Sequence, residues 1–245
     1  LVISKVDTVL VIDESMLDPF ASLVGAARSQ RLAIFDLDRT LVPGSSLVTL
    51  GRALVAHGLV SRRRLAGAGL RNVVFQRFGS GDSGVERIRD RALAVFAGVE
   101  RVALLWALDD AAQRVVADVT PSARALLDQH LDAGDFCVVL SASPHELVER
   151  VSGRLGAHRG VGTRAEVVDG RLSGRLDGAF CYGAGKLPCL VRALGPVDLS
   201  TASAYSDSIS DRPLLEACGH PVAVNPDRKL RRLAEAEGWP LACVA

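Results

Sequence analysis

Short, almost wholly apolar runs alternate with amphipathic stretches through the second half of the chain, and this rhythm limits the fold more than any other feature. "FCVVL" (Phe136 to Leu140), "TASAY" (Thr201 to Tyr205) and "PVAVN" (Pro221 to Asn225) read as buried strands, with "RLAIF" (Arg31 to Phe35) as an earlier one. Between and after them, "HELVERVSGRLG", "GKLPCLVRALG", "DRPLLEACG" and "PDRKLRRLAEAEG" carry apolar residues at the spacing of a helix face. Strands apolar on nearly every residue need cover on both faces, which helices flanking a parallel sheet supply. The expected fold is therefore α/β, a doubly wound and mostly parallel sheet.

Local signals sharpen the boundaries. "TPSARALLDQHLDAG" predicts a helix with Thr120 as N-cap, Pro121 in its first turn and Gly134 as its stop. "AEVVDGRLSGRL" predicts a hairpin turning at Asp169-Gly170, and "WPLACV" a closing strand. Residues 46–117 differ: the apolar spacing predicts roughly four helices and no strand, broken near Gly58 and at "GSGDSG". They read as an insertion, a helical cap, in a core made of residues 31–45 and 118–245. Residues 1–30 hold one β-rich run, "TVLVID", and form a separate N-terminal segment. Asp13 follows that run without a second aspartate two positions on, and reads as structural.

Composition removes several function classes. A formal charge of +1 argues against a nucleic-acid partner, and no apolar run is long enough for stable membrane insertion. Five scattered cysteines without a CxxC, and five isolated histidines, argue against a zinc site. With no basic, apolar leader pattern in residues 1–30, the expectation is a soluble, cytoplasmic protein with reduced, buried thiols.

In open α/β sheets, ligands bind beyond the carboxyl ends of the strands. Three polar loops sit there: "FDLDRT" after "RLAIF", "SAS" after "FCVVL", and "SDSISD" after "TASAY". Between the last two, "CYGAGK" places Lys186 at the opening of a helix. Two carboxylate pairs, Asp36 with Asp38 and Asp207 with Asp211, together with a hydroxyl and an ammonium, suit phosphoryl transfer. Carboxylates hold Mg²⁺, one can attack phosphorus, and a second can carry the proton. Ser141 directly follows its strand and is preferred as the phosphate hydroxyl, whereas Ser143 reads as a cap of the next helix. An EF-hand reading of "DLDRT" fails, since Leu41 and Leu47 stand where the loop needs glycine and glutamate.

The order of these motifs resembles the haloacid dehalogenase (HAD) superfamily. "DLDRT" is similar to its DxDx[TV] first motif, Ser141 to the second, Lys186 to the third and "SDSISD" to the fourth. A helical cap between the first two motifs resembles subfamily IB, the phosphoserine-phosphatase-like group. "AYSDSISDRPLLEA" and "VNPDRKLRRLAEAEGWP" are similar to bacterial, SerB-like hydrolases of that group. The resemblance covers about residues 31–241. It implies a Rossmann-like core with a C1-type cap, acting as a Mg²⁺-dependent phosphomonoesterase on a small phosphorylated metabolite. It also implies roles: Asp36 as nucleophile, Asp38 as general acid and base, and Ser141 and Lys186 as phosphate ligands. The metal would be held by Asp36, the backbone carbonyl of Asp38, and Asp207. Asp211 would bind a metal water or orient Lys186, and Thr40 would brace the loop.

Three departures bear on the substrate. Arg39 stands where a small residue is frequent, and reads as reaching the phosphate, the cap or solvent. No carboxylate lies between Val42 and Leu50 to bind a substrate amine, and the second motif is Ser-Ala-Ser rather than Ser-Gly-Gly. Phosphoserine is thus admitted but not favoured. A phosphotransferase using the same aspartyl-phosphate, or a non-catalytic phosphometabolite binder, are the alternatives. "SRRRL" reads as a solvated helix face, and Trp106 and Trp239 as packing residues.

Overall fold

The computed structural model describes residues 30–67, 89–90, 93–94 and 96–244. "TVLVID" and much of the predicted second and third helices lie outside them. The remaining elements are β1 (Leu32–Phe35), α1 (Ser46–Ala56), α2 (Arg62–Gly67), α3 (Arg101–Ala117), α4 (Pro121–Asp132), β2 (Phe136–Pro144), α5 (His145–Leu155), β3 (Arg159–Thr163), β4 (Ala165–Val168) and β5 (Arg171–Leu176). They continue with α6 (Lys186–Leu194), β6 (Ser203–Ser206), α7 (Arg212–Ala217), β7 (His220–Val224), α8 (Arg228–Glu237) and β8 (Leu241–Ala242).

Six strands form a parallel sheet in the order β3-β2-β1-β6-β7-β8. Alternate residues of each strand enter different layers, as the two-residue strand period requires. Ala33, Phe35, Cys137 and Val139 pack with Leu127 of α4 and with Leu147 and Val151 of α5. Leu32, Ile34, Phe136 and Val138 pack with Leu190 of α6, Leu214 of α7 and Leu230 of α8. Burial on both faces explains the unbroken apolar runs. The chain leaves β1 toward β2 and β3, then returns to place β6 on the other side of β1. Strand order therefore reverses between β1 and β6, where the loops carrying Asp36 and Asp207 emerge together.

Thr120 Oγ1 accepts a hydrogen bond from Ala123 N–H at 3.3 Å and caps α4 as expected. β4 and β5 form the predicted antiparallel hairpin, with Asp169 and Gly170 both at positive φ. Residues 98–101 join its outer strand: Gly98 N–H donates to Leu172 O and Arg101 N–H to Gly170 O, at 2.8 and 2.9 Å. The hairpin thereby anchors the start of α3, which also packs on α1 and α5. Among the described residues no helix is long and apolar enough to cross a membrane.

Several features depart from the sequence reading. β3 went unrecognised because "RGVGT" is short and two of its five residues are glycine. Those glycines serve close packing: a Cβ on Gly160 would lie 2.5 Å from Val148 O, and one on Gly162 2.5 Å from Ser143 O. Ser143 is not a helix cap. β2 runs on to Pro144, and Ser143 Oγ instead shares a hydrogen bond with Ser46 Oγ at 2.6 Å. Trp239 packs against the core, whereas Trp106 is 76% exposed. It lies on the face of α3 away from the buried residues Leu104, Leu108 and Ala111. Four cysteines are buried, but Cys243 is exposed.

Candidate active site

β1 ends at Phe35, and Asp36 N–H still donates to Tyr205 O at 2.9 Å, so the first aspartate leaves the sheet in register with β6. The chain then turns at once. Leu41 and Val42 N–H donate to Leu37 O at 3.0 and 3.1 Å, and Arg39 takes a left-handed φ of 64°. Asp38 meets the start of α1, where Ser46 N–H donates to its Oδ1 at 2.8 Å. A carboxylate at a helix N-terminus satisfies one of the amides the helix cannot. Thr40 is buried with no hydrogen-bond partner on Oγ1, so the bracing expected of it comes from the Leu37 carbonyl and from Asp38 instead.

Lys186 reaches the site because the turn before it is unusually close-packed. A Cβ on Gly185 would lie 2.0 Å from Phe180 O, which explains glycine directly before the lysine. Lys186 Nζ donates to Asp36 Oδ1 and to Asp211 Oδ2, both at 2.6 Å, and all three side chains are buried. Ser206 Oγ, at the end of β6, also donates to Asp211 Oδ2 at 2.6 Å. Asp211 is thus more than a helix-terminal carboxylate: it fixes the ammonium. Ser141 lies on the neighbouring strand two residues past Val139, the register partner of Phe35, and its Oγ accepts from Ser143 N–H at 3.2 Å.

Arg39 points neither to solvent alone nor to the helical segment. Its Nε lies 2.9 Å from Asp207 Oδ2, a contact the sequence did not disclose. A second residue missed by sequence reasoning is Asp227. Its Oδ2 accepts from Ile209 N–H and its Oδ1 from Lys229 and Leu230 N–H, at 2.9, 2.8 and 2.8 Å. Asp227 N–H in turn donates to Asp207 O at 2.7 Å, tying the fourth motif to α8. The signal was present as an Asp N-cap in "NPDRK", but nothing in it indicated which loop the cap would hold.

The electrostatics follow from burial. Desolvation raises Asp36 to about 6 against the opposing pull of Lys186, and raises Asp207 to about 8 with the Asp36 charge adding to it. Desolvation also raises Asp38, opposed by its hydrogen bonds from Ser46. For Lys186 burial works the other way, but Asp211 and Asp36 outweigh it and hold the ammonium above the ordinary lysine range. Four carboxylates (Asp36, Asp38, Asp207, Asp211) thus face two cations, Lys186 and Arg39. Among the described residues no group of three or more His, Cys, Asp or Glu side chains forms a metal cluster. A set of two carboxylates and a backbone carbonyl needs no such group. Its all-oxygen donors and unbalanced negative charge fit a hard divalent cation.

The haloacid dehalogenase-like hydrolase family model matches residues 33–216, and the chain belongs to that family. It is 38% identical over 214 residues to phosphoserine phosphatase SerB1 of Mycobacterium tuberculosis, covering 85% of this chain and 69% of the relative. It is 31% identical over 220 residues to a histidinol-phosphatase of Neisseria meningitidis, covering 86% of this chain and 98% of the relative. A solved structure of a Bordetella pertussis protein of unknown function superposes with a TM-score of 0.75 at 28% identity, covering 88% of this chain and 99% of that one.

Proposed function

We propose that the protein is a Mg²⁺-dependent phosphomonoesterase that works through an aspartyl-phosphate on Asp36. The observation that carries this reading is the pairing of Lys186 Nζ with Asp36 and Asp211 at 2.6 Å, where strand order reverses. That geometry fixes one carboxylate and leaves an ammonium beside it to meet a phosphate. Family membership and the phosphatase names of its relatives agree with it.

Residue roles follow from the different surroundings of the two aspartates. Asp36, paired with Lys186, attacks phosphorus through a carboxylate oxygen as the bond from phosphorus to the ester oxygen breaks. Asp38 accepts its hydrogen bonds from the neutral donors of Ser45 and Ser46 among the described residues, and its raised pKa suits it to deliver a proton to the departing alkoxide. It then takes a proton from the water that attacks the phosphoryl group and frees Asp36. Ser141 and Lys186 offset charge on the non-bridging oxygens. Asp36, the Asp38 carbonyl and Asp207 would hold Mg²⁺, which when bound neutralises charge on the transferring group. Residues 46–117 serve as a cap over a core of residues 31–45 and 118–245, with α3 packing both on α1 of the cap and on α5 of the core.

The test is phosphate release by purified protein with Mg²⁺ against a panel of phosphomonoesters, with Asp36→Asn as the blank. Release lost in the variant is expected. Equal release by wild type and variant would remove Asp36 as nucleophile.

A further inference from the structure

Beside the carboxylates lies a cavity of about 150 Å³ whose character is mostly apolar. Leu50 of α1, Leu104 and Leu108 of α3, Phe96, Leu172 of β5 and Phe180 line it, together with Asp38 and Ser143. It is therefore continuous with the catalytic loop, where the organic part of a bound phosphomonoester would extend.

The hydroxyls around this cavity are engaged within the protein, and its charged side chains other than Asp38 pair with one another or with a neighbour at its exposed parts. Thr163 Oγ1 donates to Ala142 O at 2.7 Å, and Ser143 is hydrogen-bonded to Ser46. Arg89 Nε lies 2.8 Å from Asp90 Oδ1, and Arg101 Nε 3.8 Å from Glu146 Oε1. A substrate carrying an amine and a carboxylate would compete with water for Arg101 and Glu146, whose side chains are 58% and 27% exposed, or leave its own charges unpaired against leucine and phenylalanine. The first gains little because solvent screens exposed charges, and the second opposes binding because a buried polar group without a partner is costly. An apolar group meets no such penalty and gains from leaving water.

We infer that the cavity selects phosphate monoesters of apolar alcohols, alkyl or aryl, over the esters of amino acids and polyols. The inference rests on the phosphomonoesterase reading for where the phosphate sits. A protein cavity of this volume accepts a guest of roughly benzene size, which sets the preferred organic group at about six carbons.

Two measurements test it. In the first, kcat/KM is compared for methyl, butyl, hexyl and phenyl phosphate, phosphoserine and glycerol phosphate. It should rise about threefold to fourfold per methylene until the cavity is filled, with hexyl and phenyl phosphate above the polar esters. In the second, binding of the matching alkylphosphonates, which cannot be hydrolysed, is followed by calorimetry in wild type and in Leu105→Glu. Leu105 lines the cavity but is 40% exposed, so a carboxylate there leaves the core intact. Hexylphosphonate affinity should fall about tenfold in the variant. Turnover that favours phosphoserine or glycerol phosphate, with no gain along the alkyl series, would overturn the inference while leaving the phosphatase reading in place. Chain-length-dependent phosphonate binding without any turnover would do the reverse.

Discussion

Arg39 makes a direct prediction about how the site receives a metal. Its left-handed backbone costs a non-glycine residue about 1 kcal/mol, and its guanidinium lies 2.9 Å from Asp207, a proposed metal ligand. Arg39→Gly relieves the backbone strain but adds freedom to the unfolded chain worth nearly as much, so those two contributions roughly cancel. What remains is the ion pair. Asp207 is buried but the arginine is 39% exposed, so solvent screening limits the pair to about 1–2 kcal/mol. A cation binding Asp207 must displace that contact, so its removal should tighten Mg²⁺ binding about tenfold. The same change removes a stabilising contact of Asp207 from the metal-free protein, which should melt lower in EDTA and gain more from added Mg²⁺. Calorimetric titration with Mg²⁺ and melting curves with and without the metal read these effects independently of turnover. Unchanged or weaker Mg²⁺ binding in Arg39→Gly would refute the reasoning.

Other perturbations follow from the same geometry. Lys186→Met removes the ammonium from between two buried carboxylates and should cost about 3–5 kcal/mol, a fall of about 10 °C in Tm; a melting point close to wild type would contradict the buried pairing. EDTA should abolish phosphate release and Mg²⁺ restore it, and metal-independent hydrolysis would count against the proposed ligand set. His145 is buried and lowered to about 4 from its ordinary 6.5, chiefly by burial and then by the charge of Arg164. Its Nδ1 accepts a hydrogen bond from Gly162 N–H at 3.4 Å, which the neutral ring permits. Between those two values the unfolded chain binds the proton and the folded one does not, so stability falls as the pH drops through that window. His145 should account for about 3 kcal/mol of that loss. Urea titrations should show a shallower acid dependence in His145→Gln, and identical profiles would exclude the histidine as its source.

The sheet was legible where both faces of a strand are buried. In β1 and β2 nearly every residue is apolar for that reason, and the aspartates and Ser141 could then be placed by counting from the strand ends. β3 was not legible, because Gly160 and Gly162 answer to the backbone of α5, a constraint that exists only after folding. Lys186 could be proposed from the glycine before it, but its bridge between Asp36 and Asp211 joins residues 150 and 25 positions away. The same limit hid the Arg39–Asp207 pair, since a lone arginine after a DxD motif does not reveal which carboxylate it will meet. Asp227 was missed: an aspartate before a helical run signals a cap, but not that its other oxygen would hold the fourth motif. Trp106 was misread because size alone argues for packing, whereas its place on α3 faces it outward.

The central claim is a covalent bond between Asp36 and phosphorus. The most direct measurement is acid quenching of the protein during turnover of a phosphomonoester, followed by peptide mapping by mass spectrometry. The account predicts one phosphoryl group on the peptide containing Asp36 in wild type and none on the same peptide of Asp36→Asn. A phosphoryl group on Asp38, or an adduct that persists in Asp36→Asn, would contradict it.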